Sequence, residues 1–225
     1  MPLRESSSLP GSGAPHESVA NKCVQSGACG LIILTYCVTA PRNIRRSQGR
    51  HIMAKWTQDG GFFTLHDTGE VKAPIDRCFQ LTCSIALVRE ELGMKPVTGR
   101  TEGLVQHGDT VRWEGWQLGL KHFHVTGISG YDRPVFMQDS MLDGRFRTFQ
   151  HDHHLRELPD RGGTQLEDEV RFSLPFGWAG RLVARYIVVP HVLRLMRSRF
   201  ARIKRIAEGD AWRQYLPNEQ TASHA

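Results

Sequence analysis

No apolar run in the sequence reaches the roughly 20 residues that a membrane-spanning helix needs; GLIILTYCV at 30–38 is too short. No two cysteines are spaced C-x-x-C, which argues against a zinc ribbon or a thioredoxin-like motif. The five cysteines are odd in number, Cys23, Cys29, Cys37, Cys78 and Cys83, and reduced thiols in a cytoplasmic protein are the expectation. There is no G-x-x-x-x-G-K-[ST] phosphate loop, no G-x-G-x-x-G after a strand pattern, and no G-x-S-x-G nucleophile elbow. These absences set aside nucleotide-driven chemistry and serine hydrolysis. A one-signed charge is missing too. The formal +6 comes mostly from residues 1–58, which hold seven Lys/Arg against two acids, whereas 59–225 hold 22 against 21. A nearly neutral domain with a basic tail is not the footprint of a nucleic-acid binder, and no nucleic acid is expected as a partner.

With 225 residues the chain has room for one domain of ordinary size and a tail. Residues 1–21 are rich in Ser, Pro and Gly and have the composition of disorder. Val38-Thr39-Ala40 after the apolar run resembles a signal-peptide cleavage site. The long preceding segment and its acids, Glu5 and Glu17, argue against export, and Met53 offers an alternative start. The expected organisation is an N-terminal extension over 1–58, disordered or non-native, a folded domain over 59–208, and a frayed tail over 209–225.

From Gly60 the pattern becomes regular. GGFFTLHDTGEV reads as a strand ending near Val71. Ala73-Pro74-Ile75-Asp76 opens a helix, with Pro tolerated in the first turn and Asp76 suited to its positive end. Ile75, Phe79, Cys83 and Ala86 keep a helical spacing, and the helix, in one piece or two, should stop at Gly93 as left-handed cap. Strand patterns follow at 97–104, 110–119, 121–129, 134–141, 145–158 and 164–174, parted by Gly, Asp and Pro turns, the signature of an antiparallel meander. Residues 178–207 then read as one amphipathic helix. Leu182, Val183, Tyr186, Ile187, Val192, Leu193, Met196, Phe200, Ile203 and Ile206 form its apolar stripe, most arginines lie off it, and Pro190 should kink it. The fold class expected is α+β: a curved antiparallel sheet of about seven strands wrapped around a long C-terminal helix.

Met137-x-Asp139-x-Met141-x-x-Gly144-x-Phe146, Phe149-x-His151-x-His153, and Asp168 ahead of Pro175-x-Gly177 resemble the START-like (SRPBCC) superfamily, the polyketide cyclase/dehydrase and ligand-carrier group, over roughly 60–208. The resemblance implies a helix-grip fold with a hydrophobic cavity between sheet and C-terminal helix. It implies no single activity, since the fold hosts carriers, cyclases, hydrolases and regulators.

Strand alternation sorts the candidate residues. Met137, Asp139 and Met141 share one face of their strand; Phe149, His151 and His153 share another; Leu166, Asp168, Val170 and Phe172 share a third. A carboxylate on an apolar face needs a partner, because desolvating it alone costs several kcal/mol. Asp139, His151, His153 and Asp168 are therefore the candidate ligand anchors, and the candidate acid–base residues if the protein is an enzyme; a buried polar network tying strands together is the plainer alternative. Trp113 or Trp116, Phe123, Met137, Met141, Phe149 and Phe172 are the candidate pocket wall. The HDHH run invites a metal, since His at i and i+2 point the same way. Yet the second half of a cupin motif is missing, with Gly180 where a His would stand, so no metal and no cofactor are expected. The expected function is binding of a small hydrophobic molecule (lipid, quinone, polyketide or aromatic). The alternatives are a cyclase/dehydrase-type enzyme using a His/Asp pair, and a partner protein acting through its basic last helix, which could also touch an anionic membrane surface weakly.

Overall fold

The structure is a computed structural model, and it describes residues 52–216. The readings made on residues 1–51 and 217–225 lie outside that range. Eight strands form one antiparallel sheet: β1 (Ile52–Asp59), β2 (Phe62–Val71), β3 (Met94–Gly99), β4 (Thr110–Gln117), β5 (Leu120–Asp132), β6 (Phe136–Asp143), β7 (Thr148–Leu158) and β8 (Gly163–Ser173). Their order is β1-β2-β8-β7-β6-β5-β4-β3. Strands β3 to β8 pair with their chain neighbours, as short turns dictate. β8 then returns beside β2, so α1 (Ile75–Cys83) and α2 (Ile85–Leu92) cross between the two halves.

The two short helices are one amphipathic stretch broken at Ser84, whose extended ψ of 116° lets it bridge to Leu104. Gly93, at φ 62°, caps the second. The long C-terminal helix begins with α3 (Gly177–Val183), passes through a π-helical turn at 184–188, and continues as α4 (Val189–Glu208). That turn lies just before Pro190. A proline has no N–H to give the carbonyl four residues back and its ring crowds it; widening the preceding turn is a known way to absorb both within a continuous helix.

Two apolar clusters fix the helix against the sheet. Near its start, Ala184, Val188, Val189, Val192 and Met196 pack on Phe63, Leu65, Val170 and Phe172 of β2 and β8. Near its end, Phe200, Ile203, Ile206 and Ala207 join α1, α2 and the inner faces of β4 to β7. Gly69 permits the closest approach, because a Cβ there would meet the Phe200 ring at 3.2 Å.

Three expectations need correction. The folded part begins before residue 59: β1 pairs along β2, and Trp56 packs on Phe63 with ring centroids 6.0 Å apart. The strand placed at 97–104 is 94–99, since Met94 belongs inside the core and Arg100–Gln106 form a loop tied to Asp109. Finally, residues 209–216 are not frayed. Trp212 and Leu216 are buried, Arg77 lies 4.3 Å over the Trp212 ring, and Tyr215 donates to Glu90; the i, i+4 pair of apolar side chains gives the segment a reason to fold back.

Candidate functional site

Between the two clusters the sheet curves away from the helix and leaves a cavity of about 640 Å³. Its sheet wall carries Trp113, Thr126, Met137, Phe149 and Val170, the π-helical turn contributes Val188, and α4 contributes Val192 and Met196. Thr82, Ile85 and Val88 close it from α1 and α2. The lining residues that are also exposed mark the opening: Leu118 and Leu120 of the β4–β5 turn, and Phe176 and Val183 around α3. His191 and Gln117 join across this end at 3.0 Å, and Gln117 also donates to the Leu92 carbonyl.

One wall of this greasy space is charged. Asp139 on β6 stands opposite His151 on β7, and His153 stands opposite Asp168 on β8. The alternation of each strand turns all four inward, and the flat pairing makes them neighbours. His153 Nδ1 donates to Asp168 Oδ1 at 2.7 Å, and its Nε2 lies 3.4 Å from Asp139 Oδ2. The His151 ring tilts against that of His153 with centroids 3.9 Å apart. Its Nε2 is 3.5 Å from Asp168 Oδ2 and its Nδ1 is 3.8 Å from Asp139 Oδ2. Behind them Arg199 of α4, only 7% exposed, brings Nε to 3.6 Å from Asp168 Oδ2 and pairs with Glu91 of α2 at 2.6 Å. Glu91 Oε1 is buried and has no hydrogen-bond partner.

Burial and pairing pull these groups in opposite directions. Burial pushes the Asp168 carboxyl up, but the His153 charge and its hydrogen bond, with the nearby His151 imidazole, outweigh it and hold the group well below the usual carboxylate range. Asp139 is lowered in the same way, burial being overcome by the His153 bond and the neighbouring imidazoles. Burial also works against a proton on His153, yet the Asp168 charge wins and its pKa is raised. His151 goes the other way: burial, reinforced by the His153 charge, lowers it. Two adjacent imidazoles thus shift in opposite directions, the proton affinity of His153 raised and that of His151 lowered.

The candidate residues fall into three groups. Trp113, Met137, Asp139, Phe149, His151 and His153 line the cavity, and Asp168 lies directly behind the histidines. Phe172 is fully buried in the cluster under the start of the helix rather than in the cavity wall. Three others do not line it. Trp116, 70% exposed, and Phe123, with Arg112 stacked over its ring at 4.8 Å, are on the outer face, because the parity set by Trp113 on β4 and by His122 and His124 on β5 turns them outward. Met141 is half-buried, its sulfur packed towards Gly144.

Sequence reasoning raised His122 and His124 only as further ligands whose side of the strand was open, and missed Arg199, Glu91, His191 and Gln117. Arg199 had a signal. It is three residues from Met196 and four from Ile203, inside the apolar stripe, where a charge must have a buried partner.

This architecture, a curved antiparallel sheet gripping a 32-residue C-terminal helix, is a helix-grip fold. Protein Ms6760 from Mycobacterium smegmatis matches it with a TM-score of 0.50 at 18% identity, over 78% of this chain and 100% of that one. Major latex-like protein 151 from Panax ginseng matches with a TM-score of 0.50 at 11% identity, over 67% of this chain and 100% of that one. An uncharacterised protein from Rhizobium leguminosarum gives a TM-score of 0.50 at 14% identity, over 70% and 99%. At these identities the likeness is of fold alone. No family model and no curated protein sequence matches the chain. Among the described residues, no helix is long and apolar enough to cross a membrane.

Proposed function

We propose that the protein binds a small, largely apolar molecule carrying one polar end, with the hydrocarbon or ring portion in the cavity and the polar end at Asp139 and His151. The observation that carries this reading is the pairing of a cavity of about 640 Å³, walled almost wholly by apolar side chains, with a single inward-facing charged wall. Ligand sites have this composition and lie in a volume range of about 300–1,000 Å³. Native mass spectrometry of the protein purified from its own host tests it, together with titration of an apolar fluorescent probe. A retained apolar compound, or probe binding abolished by filling the cavity with Val192→Trp, is the expected result. A folded protein that retains nothing and binds no probe sinks the reading.

The split between the two histidines favours a second reading, an enzyme of the cyclase/dehydrase type. His151, its proton affinity lowered, faces the cavity where a base would stand, and His153, its proton affinity raised by Asp168, lies beside it where an acid would stand. Turnover of a polyketide-like substrate lost in His151→Gln, with apolar-probe affinity kept, would support it; equal turnover in the variant would end it. The partner reading rests on less charge than the helix carries on paper, because Arg199, Arg202 and Lys204 are engaged with Glu91, Glu90 and Glu208 of the same chain.

A further inference from the structure

His151 and His153 each turn one ring nitrogen towards Asp168 and the other towards Asp139. Asp168 takes His153 Nδ1 on one oxygen, at 2.7 Å, and His151 Nε2 on the other, at 3.5 Å. The nitrogens left over, His153 Nε2 and His151 Nδ1, lie 3.4 and 3.8 Å from one and the same oxygen, Asp139 Oδ2. A tetrahedral ion bonded at about 2.1 Å to nitrogen or oxygen needs its donors about 3.4 Å apart. The two nitrogen–oxygen separations are near that spacing, and all three donor atoms lie within 4.8 Å of one another. Asp168 stands where metal-binding imidazoles keep an outer carboxylate, on the N–H opposite the ligating nitrogen. Arg199 Nε lies 3.6 Å from Asp168, outside the donor set.

The charges around the cluster point the same way. Asp139, Asp168 and Glu91 face it with one guanidinium, Arg199, among them. Three carboxylates thus face one guanidinium in a region where every one of these side chains is at most 18% exposed. Arg145, the other cation lining the cavity, is exposed at its rim and donates to the Lys121 carbonyl. A cation bound there would offset the excess of carboxylates; buried charge left unbalanced is costly.

We infer that Asp139, His151 and His153 hold a divalent first-row transition ion of the zinc or ferrous type, with Asp168 as the outer carboxylate and at least one coordination position open to the apolar cavity. Two imidazoles and a carboxylate suit such ions, and an open position is what distinguishes a reactive or ligand-binding site from a structural one. The sequence argument against a metal turned on a missing second motif downstream. The third donor comes instead from the neighbouring strand, where spacing along the chain does not reveal it. The inference does not require the apolar-ligand reading.

The test uses the full chain stripped with a chelator and dialysed against Zn(II), with metal counted by elemental analysis. One zinc per chain is expected, with X-ray absorption showing imidazole nitrogen and oxygen around it. Binding should be lost in His151→Gln and in Asp139→Asn, kept in His122→Gln, and weakened about 10- to 100-fold in Asp168→Asn. No stoichiometric zinc, a sulfur shell pointing to cysteines, or binding that survives both ligand variants would overturn it. If either variant fails to fold, the absorption spectrum of the unmutated protein decides alone. Apolar-probe binding to the stripped protein is read in parallel. Probe without zinc removes the metal and leaves the cavity reading; zinc without probe does the reverse.

Discussion

Asp168 touches both histidines and Arg199, so the inner cluster depends on it more than on any other side chain. Replacing it with Asn would leave Arg199 and His153 buried with half of their compensation. The expected cost is about 3–5 kcal/mol, the usual size for breaking a buried charge pair. Urea unfolding of the Asp168→Asn variant in the presence of chelator measures it, and a loss below about 1 kcal/mol would mean that the pair is not holding the strands. The sign with pH is fixed by the lowered carboxyl. Its contribution is present above the unfolded value of about 3.9 and is lost as pH falls towards the folded one. At this scale the sequence was informative wherever a single strand decided the matter. Alternation placed Asp139, His151, His153 and Asp168 on inner faces. Glu91 and Arg199 were hidden because they meet across 108 residues of chain, and nothing local in either helix marks the other. Cys83 illustrates the same limit: burial pushes its thiol up to about 12, a consequence of its neighbours in space. It should stay unlabelled by iodoacetamide at pH 8 in the folded protein, and peptide mapping that finds it alkylated without denaturant would contradict that burial.

Among the elements, the C-terminal helix departs furthest from its sequence pattern. Its apolar stripe is continuous on paper, yet the stripe residues before Val188 stay exposed, and of the π-helical turn only Ala184 and Val188 are buried. Leu182, Val183, Tyr186 and Ile187 are exposed, because the π-helical turn adds a residue and rotates the first segment away from the sheet. Gly180 fixes that segment's start: a Cβ there would run into the Pro175 carbonyl at 1.9 Å. The result is a cavity opening rimmed by bare apolar side chains, Phe176 at 85% and Trp178 at 70% exposure among them, with Arg181 and Arg185 beside them. Exposed aromatic groups next to bases suit the interface of an anionic bilayer. Vesicles of phosphatidylcholine with phosphatidylserine should sediment the protein. Phe176→Ser with Trp178→Ser should weaken this by several-fold at constant ionic strength. No binding by the unmutated protein, or equal binding by the double variant, would show that the rim has no such role.

For the whole molecule, titration is set by how many histidines the fold buries. Burial is the first cause of the lowered pKa of His122, His124, His151 and His191, whereas His153 alone among the resolved histidine shifts is raised. A lowered histidine contributes stability above its unfolded value of about 6.5 that is lost as pH falls; a raised one contributes below that value and loses it as pH rises. Four outweigh one, so the metal-free protein should unfold at higher urea at pH 7.5 than at pH 5.5. The reverse order would mean that the His153–Asp168 pair dominates. The first strand bears on the molecule as a whole as well. A chain begun at Gly60 leaves β2 as a bare edge and strips Trp56 from Phe63. It should melt several degrees below a chain begun at Ser47 when followed by circular dichroism, and equal melting would return the boundary to residue 59.

The sequence by itself determined the strand and helix pattern, the glycine cap after the first helices, and which residues of β6, β7 and β8 share a face. Those depend on periods of two and 3.6 residues, which are local. Only the tertiary structure decided that β8 lies beside β2, that the helix stripe is buried for part of its length, that an arginine and a glutamate close the polar cluster, and that one aspartate oxygen faces two histidine nitrogens. Those facts depend on distances between residues far apart in the chain, and a periodic pattern carries no record of such distances.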